Sequence, residues 1–315
     1  MTTVEHNEDY EYGHQLLQNL IRGDAVIGLV PDLDATLKQM MQALRNAVVA
    51  GHAAAFHDVG ECYAAVLVPM GGFDGVYDPD QPAWSADAGL ILDDNPALQA
   101  ALRCYFEAAR LGHRASALAF CRWTRHANPA NQQRGAALLA SLPIPTEFEL
   151  CQLGYVQNWL GELEQSAATL LRAADAGSTD AQFELYIYYA QGLGVEANPR
   201  TSQAWLQRAA DGNHGRALYN IGAAFASGGH GTDGAPNFAK AAEYYERAAQ
   251  AGNGRAAAML GVMILNLELP GTEAKAIEWF DKSDALGYAT WELLDAAGLD
   301  DPRGGDANGG GGQPW

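Results

Sequence analysis

Between residues 181 and 264 the chain repeats one arrangement of apolar and polar positions. Ala181, Leu185, Tyr186 and Tyr189 fall at i, i+4, i+5 and i+8, as do Ala217, Ile221, Gly222 and Phe225, and then Ala256, Leu260, Gly261 and Ile264. That spacing places each set on one face of a helix. A second kind of helix follows each first helix. Its mark is an aromatic pair ahead of an alanine pair, as in Tyr244, Tyr245, Ala248 and Ala249, with Trp279 and Phe280 in matching places later. Small residues let two helix backbones approach, and the aromatics fill the space alongside. The pattern therefore predicts a helical hairpin copied along the chain, and the copy length, once found, organises the rest of the reading.

The copies are punctuated. Each second helix is expected to end on a residue that tolerates the left-handed conformation: Gly51, Gly112, Gly177, Asn213, Gly252 and Gly287. Asparagine is the next best residue after glycine for that backbone. Pro96 and Pro199 stand at helix starts, where a missing N–H costs nothing. From Gly177 onward the closing residues are 36, 39 and 35 positions apart, but the two earlier gaps are 61 and 65. The 65-residue gap fits two copies, the hidden one carrying Leu153-Gly154 in its first helix. The 61-residue gap fits one copy plus an insertion of about 25 residues.

An A-x-x-x-L-G-x-x-Y first helix, the Gly192–Val195 turn, an A-x-x-W-Y second helix and an A-A-x-x-G closure together resemble the Sel1-like repeat family, relatives of the tetratricopeptide class. The resemblance spans residues 35–295 and is strongest over 165–285. It implies an all-α fold, a right-handed α/α superhelix of about seven Sel1-like helix-turn-helix repeats that binds other proteins. The departures are Tyr186 at a usual glycine, Asn213 at the closing glycine and the degenerate copy near Leu153. Residues 1–23 are expected to form a charged lead-in and a capping helix running from Gly13 to Gly23, with Leu16, Leu17, Leu20 and Ile21 on its apolar side. Residues 24–298 are expected to form the solenoid, with Asp34 capping the first second-type helix and an acidic loop inserted at 69–96. Residues 299–315, rich in glycine and ending in Trp315, read as a disordered tail.

Charge narrows the function. With 19 Lys and Arg against 38 Asp and Glu, the net charge is −19. Nucleic-acid and anionic-membrane binding both need a basic surface, so neither is expected. The balance permits a basic protein partner, and it equally serves to keep an alanine-rich solenoid soluble. No apolar run approaches the roughly 20 residues needed to span a bilayer. The start, MTTVEHNEDYEYGH, lacks a signal-peptide profile, so a cytoplasmic monomer is expected.

The insertion is the most unusual stretch. No Lys or Arg occurs from Asn46 to Leu102, which hold Asp58, Glu61, Asp74, Asp78, Asp80, Asp87, Asp93 and Asp94. Phe73, Tyr77 and Trp84 accompany them. Acidic groups beside aromatics suit a patch that docks a basic partner, because aromatics anchor interfaces and charge sets encounter rate. A solvated loop whose aromatics fold back on the neighbouring helix is the alternative. The first helices are expected to add Asp58, Glu61, Glu184, Tyr188 and Asn220 as exposed contact positions.

Chemistry is sparse. No G-x-S-x-G or H-E-x-x-H motif occurs, and Gly228, Gly229, Gly231 and Gly234 lack the lysine of a phosphate loop and sit where other copies turn. Asp74, Asp78 and Asp80 do not have the spacing of a calcium loop, and no cofactor or metal is expected. His52 and His113 both follow a closing glycine, where an imidazole can meet the last carbonyls of a helix. His57 and Cys62 lie on different faces of one helix. Cys62, Cys104, Cys121 and Cys151 lack zinc-site spacing and are expected as buried thiols. Cys104 and Cys121 could meet across one hairpin. The resemblance implies an adaptor or, among stand-alone bacterial members, an immunity protein that binds a toxin or secretion-system component. It also raises a hydrolase-type enzyme like that claimed for cysteine-rich relatives, against which the missing cysteine ladder argues.

Overall fold

The computed structural model describes residues 7–21, 33–67, 96–125, 129–229 and 234–303. Regular structure among them is helical throughout: α1 (Glu8–Ile21), α2 (Leu33–Val49), α3 (Ala53–Glu61, continued by a π-helical segment Cys62–Leu67), α4 (Pro96–Arg110), α5 (Arg114–Trp123), α6 (Pro129–Ala140), α7 (Glu147–Trp159), α8 (Leu163–Asp175), α9 (Thr179–Gln191), α10 (Pro199–Asp211), α11 (Gly215–Ala226), α12 (Phe238–Gln250), α13 (Gly254–Leu265), α14 (Glu273–Ala285) and α15 (Thr290–Ala297). Consecutive helices pair as hairpins, most extensively α1 with α2, α3 with α4, α9 with α10, α11 with α12 and α13 with α14, and α15 packs on α13 and α14. The fold is an all-α solenoid. It divides into two compact units, residues 1–169 and 170–315.

The alanine pair and the closing residue act together. Gly112 donates its N–H to Ala109 and the next residue, His113, donates to Ala108. The same two bonds run from Asn213 and His214 to Ala210 and Ala209, and from Gly252 and Asn253 to Ala249 and Ala248. The closing turn thus takes up carbonyls that the helix itself would leave unpaired. It requires φ between +59° at Asn213 and +106° at Gly177.

A different glycine locks the two helices of a hairpin. A Cβ on Gly261 would lie 2.3 Å from the Phe280 ring, one on Gly222 2.9 Å from Tyr245, and one on Gly60 2.7 Å from Tyr105. An aromatic ring of the second helix rests directly on the backbone of the first. At the departure, Tyr186 packs against the core cluster that contains Leu206, with its ring 5.6 Å from that of Phe183.

Several boundaries differ from expectation. The first helix begins at Glu8, not Gly13, because Gly13 is another close-approach position: its Cβ would meet Leu44 of α2 at 2.7 Å. Asp34 is already inside α2. In the C-terminal unit, Leu299 donates its N–H to Leu294 and Arg303 bonds to Asp284 at 2.6 Å and Asp301 at 2.7 Å. Residues 299–303 therefore belong to the folded unit, and residues 304–315, with Trp315, lie outside the described residues. None of the four cysteines is in a disulfide and all are buried, and burial pushes the Cys62 and Cys121 thiols up to about 12.

Candidate protein-binding faces

The first-helix positions fall into two groups. Asp58 and Tyr188, expected to be exposed, are 4% and 2% exposed. Tyr188 is seven residues after Ala181 and three after Leu185, so it shares their buried stripe, while Tyr189 is the half-buried neighbour. Asp58 turns toward α1, where its Oδ2 lies 2.6 Å from His14 Nδ1. Glu61, Glu184 and Asn220 are half-buried. Glu61 accepts from the Tyr105 hydroxyl at 2.8 Å and lies 3.6 Å from Arg122. Burial raises the carboxyl pKa of Glu184, and the Arg216 and His214 charges pull it back. Phe73, Asp74, Tyr77, Asp78, Asp80, Trp84 and Asp87 lie outside the described residues, as does almost all of the 69–96 insertion.

In the N-terminal unit, α1, α3 and α5 bring together a polar seam. Beside the His14–Asp58 pair, the Tyr10 ring stacks on His52 at 4.2 Å. Further along, the fully buried hydroxyl of Ser116 lies 3.0 Å from His57 Nδ1 and 2.8 Å from His113 Nδ1. Burial, then the charges of His113, Arg122 and His14, hold His57 down to about 4. Burial and His52 lower His113 as well. Burial raises Asp58, opposed by His14. A hydroxyl between two imidazoles resembles a catalytic arrangement, but this one is enclosed, and the carboxylate of the seam is committed to His14.

His52 and His113 do not meet the preceding carbonyls with their rings. Their backbone N–H groups do so, and both residues stand at the N-cap of the next helix. His214 is a third histidine in that slot, where its Nδ1 accepts from the Ala217 N–H at 3.2 Å and its Nε2 pairs with Asp180 at 3.2 Å. Alignment of His214 with Asn253 was the available signal.

The C-terminal unit carries anchors that the sequence pattern alone did not single out. Arg216 lies over Phe183 at 4.5 Å and Arg255 over Tyr219 at 5.2 Å. These are equivalent places in successive copies, so each arginine stacks on the aromatic of the first helix before it. Trp291, at the same helical position in α15, is 60% exposed.

Internal pairing takes up several of the cations. Arg110 pairs with Glu107, Arg114 with Glu149, Lys240 with Glu243, Lys275 with Glu278 and Arg303 with a trio of aspartates. Since carboxylates number 38 and Lys plus Arg 19, even one-to-one pairing of every cation would leave half of them without one. Among the described residues no group of His, Cys, Asp and Glu is placed to hold a metal ion, and no helix is long and apolar enough to cross a membrane.

The Sel1 repeat family model matches residues 95–113, 179–214, 215–253 and 254–288. Among solved structures, the chain is similar to a Sel1 repeat protein from Oxalobacter formigenes, at 20% identity over 91% of this chain and 89% of that one, with a TM-score of 0.40. It is similar to a protective antigen of uropathogenic Escherichia coli with an SLR fold, at 17% identity over 93% and 73%, TM-score 0.35. It is also similar to an immunity protein from Pseudomonas aeruginosa, at 20% identity over 85% and 81%, TM-score 0.36. No curated protein matches the chain.

Proposed function

The chain is a Sel1-repeat protein, and on that premise we propose that it is a non-catalytic binding solenoid whose partner is a basic protein. Its narrower role in this reading is that of an adaptor that sequesters its partner, as an immunity protein sequesters a secreted toxin. The observation that carries this is the carboxylate surplus. Carboxylates outnumber Lys and Arg 38 to 19, and Arg110, Arg114, Lys240 and Lys275 are already paired within the fold, so the excess negative charge is left to face whatever approaches. Such a field accelerates encounter with a positive partner and repels negative ones. Glu61 with the acidic segment 69–96 in the N-terminal unit, and separately Glu184 and Asn220 in the C-terminal unit, are the proposed contact positions.

The test is capture of partners from a native lysate, followed by association kinetics at low and physiological salt. A basic partner whose association rate falls by about tenfold or more between those conditions supports the reading. A partner that is acidic, or that associates at a salt-independent rate, overturns it. Substrate turnover by the isolated chain would overturn the non-catalytic part.

A further inference from the structure

The turn between α6 and α7 closes its hairpin differently from the others. In place of glycine or asparagine, the left-handed residue is Ile144, at φ +49°. Two features of the chain oppose that backbone: isoleucine is β-branched, and Pro145 follows it. The side chain gains nothing from the fold in return, being 93% exposed. Leu267 is a second exposed left-handed aliphatic, but its turn is held by ordinary helix closure, Leu267 N–H to Ile264 and Glu268 N–H to Met263.

Ile144 is held by a dedicated clamp. Arg114 donates from Nη1 to the Pro143 carbonyl at 3.0 Å and from Nη2 to the Ile144 carbonyl at 3.2 Å. The same guanidinium is gripped by the buried Glu149, through Nε to Oε1 at 2.8 Å and through Nη2 to Oε2. Glu149 in turn accepts from the Thr146 N–H at 2.7 Å, while Thr146 Oγ1 accepts from the Glu149 N–H, closing a capping box on α7. A costly backbone that its surroundings over-determine, and that serves no packing, points outward to a use. Phe148, in the first turn of α7, is 50% exposed.

We infer that Ile144, with Phe148, is an apolar anchor that enters a pocket on the basic partner. This rests on the function proposed above and names the part of the surface that fixes the complex. The occupant follows from local charge. Glu149 neutralises the clamp's one cation, while Glu147 beside it is exposed and makes no ion pair among the described residues. An apolar knob with a carboxylate at its rim complements an apolar pocket rimmed by Lys or Arg. Anchors of this kind set the lifetime of a complex, whereas diffuse charge sets its rate of formation.

The experiment compares Ile144→Gly and Ile144→Asn with the wild-type chain, using the protein that the wild-type chain captures. Both substitutions suit the left-handed backbone, so the melting temperature is expected to stay level or rise. Dissociation of the captured protein is expected to accelerate by about tenfold or more, with the salt dependence of association unchanged. Wild-type affinity in both variants overturns the anchor, as does a marked fall in melting temperature, which would make Ile144 a structural residue. If the wild-type chain sediments as a dimer and the variants as monomers, the pocket belongs to a second copy and the basic partner is wrong. Failure to capture any basic protein removes the function proposed above and the anchor with it, whereas capture with variant binding intact removes the anchor alone.

Discussion

Two kinds of glycine do opposite work, and substitution separates them. Nothing lies within 4 Å of a Cβ built on Gly252, so its φ of +87° is the whole reason for glycine there. Gly252→Ala is expected to cost about 1 kcal/mol, and Gly252→Asn less, as Asn213 already serves in that slot. Gly261 has an ordinary helical backbone but no room beneath the Phe280 ring. Gly261→Ala is expected to cost about 1–3 kcal/mol through overpacking, and Gly261→Asn more. Urea unfolding of the four variants checks the ordering. The closing residues could be read from sequence because a positive φ leaves little choice of residue. Tyr188 and Asp58 could not, since their burial depends on which of two adjacent residues faces the stripe and on a histidine 44 positions away. The turn at Ile144 leaves no mark in the sequence for a related reason: a side-chain clamp there replaces the usual preference for glycine or asparagine.

Between elements, the polar seam ties α1, α3 and α5 to pH. Ser116 has one hydroxyl proton, so it can donate to one imidazole while accepting from the other. A proton on both His57 and His113 would leave that hydroxyl without an acceptor and set two charges 4.8 Å apart. His57 titrates near 4 in the folded chain, below its unfolded value of 6.5, so the folded state binds fewer protons. Its contribution is present above about 6.5 and is lost as pH falls toward 4, amounting to about 3 kcal/mol at most. His113 acts in the same direction, and Asp58, with its raised pKa, in the opposite one. Melting temperatures measured at stepped pH are expected to fall across that window, and to fall less steeply in His57→Gln. The hairpins themselves were plain from periodicity. The seam was not, because it joins helices from three copies and no single copy shows it.

For the whole molecule, charge and stability are expected to separate. A solenoid is held by contacts between neighbouring helices, so reversing exposed carboxylates away from those contacts leaves the fold intact. Asp78→Lys, Asp80→Lys and Asp87→Lys combined are expected to slow partner association several-fold while leaving thermal unfolding nearly unchanged. Unaltered kinetics would remove the 69–96 segment from the contact surface. The closing turns carry one more consequence. Each supplies hydrogen-bond donors to its own helix end, so a segment copied from one such turn to the next, such as 178–213, brings its terminator with it. Gene duplication could lengthen this protein by a whole hairpin without orphaning a main-chain group, and the near-constant lengths after Gly177 are the imprint such growth would leave.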